Sequence, residues 1–143
     1  MNPPSRLRVV DAMTADPVTI GPEENLEEAL AVMRRYKIRR IPVVLEGKLI
    51  GILAEGDVKR AQPSTLSVSE EEFNRVMEEV TVGRIMVRDP ITVDAEAPLL
   101  DAVRTLHRTK FGSLPVLREE HLVGILTDND VLRVFIDLLA SGD

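Results

Sequence analysis

The chain states one pattern twice. Residues 13–60 fall onto residues 86–133 at a constant offset and without a gap. Under that offset Met13 meets Met86, Asp16-Pro17 meets Asp89-Pro90, and Thr19 meets Thr92. Leu26 and Ala29 meet Leu99 and Ala102, and Pro42-Val43 meets Pro115-Val116. Gly51-Ile52-Leu53 then meets Gly124-Ile125-Leu126, Asp57-Val58 meets Asp130-Val131, and Arg60 meets Arg133. Duplication of this length predicts two similar units about a pseudo-twofold axis, with any binding site present twice in their cleft.

Length and composition narrow the function. At 143 residues the chain is one ordinary domain by size, so each repeat is about half of a body. No apolar run approaches the ~18 residues of a membrane span. The opening MNPPSRLRVVDAM has neither a continuous apolar stretch nor a small-residue cleavage site, which argues against a secretory signal. Cysteine is absent, removing disulfides, thiolate catalysis and zinc–sulfur sites together, in keeping with a cytoplasmic protein. A net charge of −6 and an aromatic content of 3% argue against a nucleic-acid partner.

Each repeat opens on a short extended segment, Pro17–Ile20 or Pro90–Val93. Leu26, Ala29, Leu30 and Met33 then keep the spacing of an amphipathic helix, and Leu99, Ala102, Val103 and Leu106 repeat it. Asn25 with Glu28 forms a candidate capping box for the first helix, and Pro98 suits the first turn of the second. Two hairpins follow. Arg40–Leu45 turns at Glu46-Gly47 into Leu49–Leu53, and Leu114–Leu117 turns at Glu119-Glu120 into Leu122–Leu126. Proline inside the first strand of each pair predicts an edge or interrupted strand. A helix begins near Asp57 and near Asp130, the second with Val131, Val134, Phe135 and Leu138 on one face. Each repeat therefore reads β-α-β-β-α, an α/β (α+β) unit with sheet packed against helices. Repeat 1 spans residues 7–61, a linker with a helix residues 62–82, and repeat 2 residues 83–140. The linker helix carries a Ser69/Glu72 capping pair and an apolar stripe of Phe73, Val76, Met77 and Val80, predicting that it packs on the module or across a dimer interface.

The segment with most chemistry is the last strand of each hairpin running into an aspartate, Gly51 to Asp57 and Gly124 to Asp130. A strand glycine permits close backbone approach. The aspartate stands at a strand-to-helix turn with unpaired N–H groups, where it either caps the helix or faces a cleft and accepts bonds from sugar hydroxyls.

The DPVTI-like opening, the IPVV and LPVL strands and the GILxxxDV ending, duplicated in order, resemble a tandem pair of CBS domains (a Bateman module) over residues 7–140. The length and the inter-repeat helix also resemble acetoin-utilisation-type CBS proteins. The resemblance implies a regulatory module binding adenosine-containing ligands (AMP, ADP, ATP or S-adenosylmethionine) in the clefts between repeats and signalling through a homodimer or an effector protein. The family's Ser/Thr–x–x–Asp ribose turn is complete at Thr127 and Asp130, whereas Ala54 precedes Asp57. Basic or polar residues before the proline strand are Arg39 and Arg40 in one copy, Gly112 and Ser113 in the other. The Asp57 cleft is thus expected to use Arg39, Arg40, Ile52, Met86, Ile91 and Phe111. The Asp130 cleft is expected to use Thr127, Ser113, Gly112, Ile125, Met13, Val18 and Ile38.

Paired arginines favour phosphate through charge-assisted bonds, so the Asp57 cleft is expected to prefer a phosphorylated nucleotide. The Asp130 cleft is expected to take a less charged adenosine-like ligand or stay empty. Catalysis has little support: His107 and His121 lack a nucleophile partner, and no Walker loop, GxGxxG or HExxH occurs, so no catalytic residue, metal site or cofactor is expected. The rival readings are a ligand-free constitutive interaction module, favoured by Ala54 and Gly112-Ser113, and a cation (Mg²⁺) sensor using groups such as Glu70–Glu72.

Overall fold

The computed structural model describes residues 4–142. In chain order, after a 3₁₀ turn at Pro4–Arg6, come α1 (Val9–Ala12), β1 (Thr14–Ala15), α2 (Leu26–Tyr36), β2 (Arg40–Leu45), β3 (Lys48–Ala54), α3 (Glu55–Ala61) and α4 (Glu70–Glu79). Then follow α5 (Val82–Ile85), β4 (Val87–Arg88), β5 (Val93–Asp94), α6 (Leu99–Thr109), β6 (Ser113–Arg118), β7 (His121–Thr127) and α7 (Asp128–Ser141). The fold is mixed α+β. It divides into two compact units, and these exchange their opening segments: Val18–Pro90 forms one, while the chain up to Pro17 joins the chain from Ile91 onward in the other.

In the Val18–Pro90 unit, β2 and β3 form the hairpin and β4 adds antiparallel to β3, giving the order β2-β3-β4. The backbone explains why proline is tolerated. Ile20 donates its N–H to the Pro42 carbonyl at 3.1 Å and accepts from Val44 at 3.0 Å. Because N and O of one strand residue point to the same side, the donor Pro42 lacks would face this short segment and not the hairpin. The expected opening strand over residues 17–20 contracts to this one parallel bridge at Ile20 and Val43. Leu26, Ile41, Leu53, Val58 and Val82 are fully buried between sheet and helices. Each such aliphatic side chain contributes roughly 1.5–3 kcal/mol by leaving water. Met77 of α4 joins this core, so the linker helix packs on its own unit.

The second unit orders its strands β1-β7-β6-β5, with β5 parallel to β6 and β1 antiparallel to β7. Here Pro115 lies on an interior strand, contrary to the edge placement its residue type suggests. Val9, Leu114, Val116 and Leu126 are fully buried. The exchanged opening segments are fastened alike. Val9 and Val10 donate to the carbonyls of Ala97 and Ala95, as Val82 and Gly83 donate to those of Glu24 and Pro22.

Local conformation follows residue chemistry with three departures from expectation. Asn25 caps α2 by accepting the Glu28 N–H, and Ser69 caps α4 by accepting the Glu72 N–H, each through one bond. Pro98 is the cap residue of α6 and not part of its first turn. Phe135 does not join the buried face of α7: it is 55% exposed and lies with Leu132, Ile136 and Leu139 in an outward apolar stripe, whereas Val131 and Val134 pack inward. Phe135 sits where the two stripes of a 3.6-residue period meet, and its side chain falls on the outward one. Asp16 and Asp89 both adopt φ of 50° before proline, a left-handed turn that aspartate tolerates.

Candidate functional site

Each unit brings a strand end, a helix start and one aspartate together at a corner. In the second unit β7 ends at Thr127 and α7 begins at Asp128. Thr127 Oγ1 accepts the Asp130 N–H at 3.1 Å, and Asp130 Oδ2 accepts the Thr127 N–H at 2.9 Å, a reciprocal cap. The Thr127 hydroxyl also donates to Oδ2 at 3.0 Å. Oδ1 receives the Thr14 hydroxyl and Arg133 Nη2, each at 3.0 Å. Arg133 Nη2 reaches the Ala12 carbonyl as well, at 3.2 Å, so two bonds tie α7 to the opening segment. A carboxylate offers about four acceptor positions. Asp130, 2% exposed, has all of them engaged.

The corresponding corner of the Val18–Pro90 unit keeps the frame and loses the extra donors. Asp57 Oδ2 accepts the Ala54 N–H at 3.0 Å, and Oδ1 pairs with Arg60. Ala54 has no hydroxyl. The residue at Thr14's place in the repeat is Val87, which has no donor to give. Asp57 is half-buried, its side chain 13% exposed, and retains acceptor positions.

The strands entering from the other side differ in the same direction. Arg40 pairs across the hairpin with Ala54, and Ser113 with Thr127. The Arg39 carbonyl accepts the Glu55 N–H at 2.8 Å, and the Gly112 carbonyl accepts the Asp128 N–H at 3.0 Å, so these residues fasten strand to helix through backbone. Gly112 does so at φ of +79°, where glycine has no steric penalty. Ser113 is buried and its hydroxyl has no hydrogen-bond partner.

The strand glycines serve the protein's own close approach. A Cβ on Gly51 would stand 2.6 Å from Met86 Sδ and 2.8 Å from the Val87 carbonyl oxygen. One on Gly124 would stand 2.5 Å from Met13 Sδ and 2.9 Å from that of Thr14. Edge strand and methionine together fill the space each glycine leaves.

Of the expected residues, the Val18–Pro90 unit holds Asp57, Arg39, Arg40, Ile52 and Met86, whereas Ile91 and Phe111, both exposed, belong to the other unit. That other unit holds Asp130, Thr127, Ser113, Gly112, Ile125 and Met13, whereas Val18 and Ile38 do not lie in it. Three residues at the corners were not among those expected. Arg60 and Arg133 carry a signal in their shared spacing three residues beyond the aspartate. Thr14 carries none, being 116 residues from Asp130. His107 and His121 are exposed. Among the described residues no group of three or more His, Cys, Asp or Glu is placed to hold a metal ion, and no helix is long and apolar enough to cross a membrane.

The family model for the CBS domain matches the chain twice, over residues 9–64 and 82–137. The chain is 35% identical over 117 residues to inosine-5'-monophosphate dehydrogenase of Korarchaeum cryptofilum, covering 81% of this chain but only 22% of that protein. It is 30% identical to a CBS domain-containing protein of Dictyostelium discoideum, covering 94% of each. Among solved structures it is similar to one described as an acetoin utilization protein (AcuB) from Vibrio cholerae, at 32% identity and TM-score 0.79, covering 94% of this chain and 93% of that one. It is also similar to CBSX2 in complex with AMP, at 27% identity and TM-score 0.77, covering 92% and 97%. A third is the CBS domain pair of protein MJ0100 in complex with 5-methylthioadenosine and S-adenosyl-L-methionine, at 25% identity and TM-score 0.74, covering 92% and 98%.

Proposed function

Because the chain belongs to the CBS domain family and carries that domain twice, we propose that it is a non-catalytic regulatory module whose ligand contains adenosine. The observation that carries this reading is Asp57: an inward carboxylate at a strand–helix corner, held by one backbone N–H and one arginine, with acceptor positions to spare for two ribose hydroxyls. Arg39 and Arg40, beside it at the start of β2, suit a phosphate. The AMP, 5-methylthioadenosine and S-adenosyl-L-methionine held by the similar structures are compatible with this chemistry.

Asp130 is the poorer acceptor. A ribose there must replace the Thr14 hydroxyl, the Thr127 hydroxyl or Arg133, and the neighbourhood offers no phosphate-binding cation in place of Arg39 and Arg40. A weakly charged adenosine-like ligand, or none, fits this corner. Its saturated hydrogen bonding also favours the second reading, a constitutive interaction module, for that half of the chain.

Titration calorimetry with AMP, ATP and S-adenosylmethionine on wild type, Asp57→Ala and Asp130→Ala tests the proposal. Hydrogen bonds to a charged group are worth about 1.5–3 kcal/mol each, so losing two at Asp57 weakens binding by about a hundredfold or more. Wild-type affinity in both variants overturns the ribose role. A thermal-shift screen separates the ligand-free reading, since a true ligand at about 100 times its Kd adds roughly 2.7 kcal/mol of stability.

Output then passes through packing with a second copy or an effector, because binding shifts a conformational equilibrium only by its differential affinity for the two states. The outward stripe of α7, with Leu132, Phe135, Ile136 and Leu139 each more than half exposed, supports a homodimer. Light scattering checks it: a dimer gives twice the 15.9 kDa chain mass, and Phe135→Glu lowers that value.

A further inference from the structure

We infer that the unit built from the chain up to Pro17 and from Ile91 onward carries a docking cavity, separate from both aspartate corners, for a basic amphipathic helix of another protein. One large apolar side chain of that helix enters the cavity, and lysine or arginine beside it meets Asp11 and Asp137.

The cavity measures about 210 Å³ and lies wholly within that unit, where α1 and α7 meet. Leu7, Ala12, Leu99, Val134 and Leu138 form apolar walls, and two exposed carboxylates, Asp11 and Asp137, complete the lining. By helical periodicity Val134, Asp137 and Leu138 form a different face of α7 from the outward stripe of Leu132, Phe135, Ile136 and Leu139.

The Val18–Pro90 unit shows what covers this place in the other copy. The two frames coincide: the Leu99 N–H donates to the Leu7 carbonyl at 2.8 Å, as the Leu26 N–H donates to that of Val80 at 3.2 Å. At the constant offset Leu7, Ala12 and Leu99 correspond to Val80, Ile85 and Leu26. Those three belong to the cluster that Met77 of α4 joins, with Met77 itself 6% exposed. α4 packs against α2 and runs directly into Val80. Before Leu7 stands only the 3₁₀ turn, and the residue at Met77's position is the exposed Pro4. α7 continues for 14 residues where α3 stops after 7, bringing Val134 and Leu138 to the cavity without filling it. Among the described residues no counterpart of α4 covers these walls.

Size and charge select the occupant. Pockets for small-molecule ligands usually hold about 300–1,000 Å³, so a smaller cavity suits a single large side chain. The positions of Asp11 and Asp137 hold Arg84 and Ser64 in the other repeat, whose covering helix is acidic through Glu70, Glu71, Glu72, Glu78 and Glu79. Here the lining is acidic, so the covering helix must be basic, and α4 of a second copy is repelled. Arg8 answers Asp11 only in part: its Nε lies 3.8 Å from Oδ2, and its guanidinium also pairs with Glu96. Asp137 has no salt-bridge partner among the described residues.

Titration calorimetry of the full chain with a stapled helical peptide of residues 69–80, its five glutamates changed to lysine, tests the assignment. The staple is needed because short free helices are marginal in water, and the unaltered acidic sequence, stapled alike, is the control. The basic peptide is expected to bind about tenfold or more tightly than the acidic one at low salt, with the difference shrinking as salt rises. Met77→Ala within the peptide weakens it about tenfold. Asp137→Lys in the protein, at an exposed position, weakens the basic peptide about two- to fivefold. Val134→Phe fills the cavity and abolishes binding, with circular dichroism confirming that the variant is folded. Amide resonances of Leu7, Ala12 and Leu138 shift on addition of the peptide. No binding, equal affinity for the two peptides, or binding indifferent to Asp137→Lys and a folded Val134→Phe overturns the inference. A dimer in light scattering that Val134→Phe dissociates gives the cavity to a second copy and overturns it equally.

Discussion

The corners at Asp57 and Asp130 share a backbone and differ in what surrounds their carboxylate. Both accept the N–H of the residue three positions earlier, and both meet an arginine three positions later. Beyond that common frame Asp130 collects two hydroxyls, from Thr14 and Thr127, where the equivalent positions of the Asp57 repeat are Val87 and Ala54, which have no hydroxyl to give. A carboxylate has a finite number of acceptor positions, so satisfying it internally and offering it to a ligand are competing uses. The duplicated fold treats its two carboxylates differently: one is saturated by its own helix and opening segment, and the other keeps acceptor positions unfilled, which under the proposed function are the ligand's.

Truncating the two aspartates separates these roles most strongly. Asp130→Ala removes the one carboxylate that accepts the Thr127 N–H, the Thr14 and Thr127 hydroxyls and Arg133, and is expected to cost about 3 kcal/mol of stability. Asp57→Ala, which loses a helix-start contact and a largely exposed arginine, is expected to cost about 1 kcal/mol. Chemical denaturation of both variants measures the gap, and equal losses would erase the distinction. Thr14→Val copies the Val87 arrangement into the Asp130 corner. It removes one bond to a buried carboxylate and should destabilise by about 1–2 kcal/mol while raising affinity for an adenosine ligand at that corner, because an acceptor position is freed. The smallest effect lies in the hairpin turns. Glu46-Gly47 and Glu119-Glu120 both hold positive φ at their two central residues, 50° and 80° in one, 49° and 69° in the other. A non-glycine residue is strained there, so Glu120→Gly is expected to raise the melting temperature, by about 0.5–1 kcal/mol of stability.

Much of the architecture was legible from the chain because its signals are local. The spacing of Leu26, Ala29 and Met33 marks α2, and that of Leu99, Ala102 and Leu106 marks α6; all six residues are buried. The Glu46-Gly47 and Glu119-Glu120 turns stand where the apolar runs reverse. The aspartates, too, were visible through their repetition. Legibility failed where a residue's role depends on a neighbour far along the chain. Pro115 reads as an edge residue by type, yet β5 pairs with its strand because a short parallel segment needs few of its donors. Phe135 lies at the border of the inward stripe by period and stands with the outward one in the structure. The pairing of Thr14 with Asp130 had no local trace.

By itself the sequence determined the duplication, the two hairpins with their flanking helices, the two acidic corners and the uneven placing of Arg39 and Arg40 against Gly112 and Ser113, but not α1, β1, α5 or β4. These follow from periodicity, turn chemistry and composition, which act over a few residues at a time. The tertiary structure alone decided that the opening segment of each repeat is carried by the other unit, and therefore which side chains reach each carboxylate. Hydrogen-bond capacity is settled by three-dimensional proximity, and that proximity is what left Asp57 open and closed Asp130.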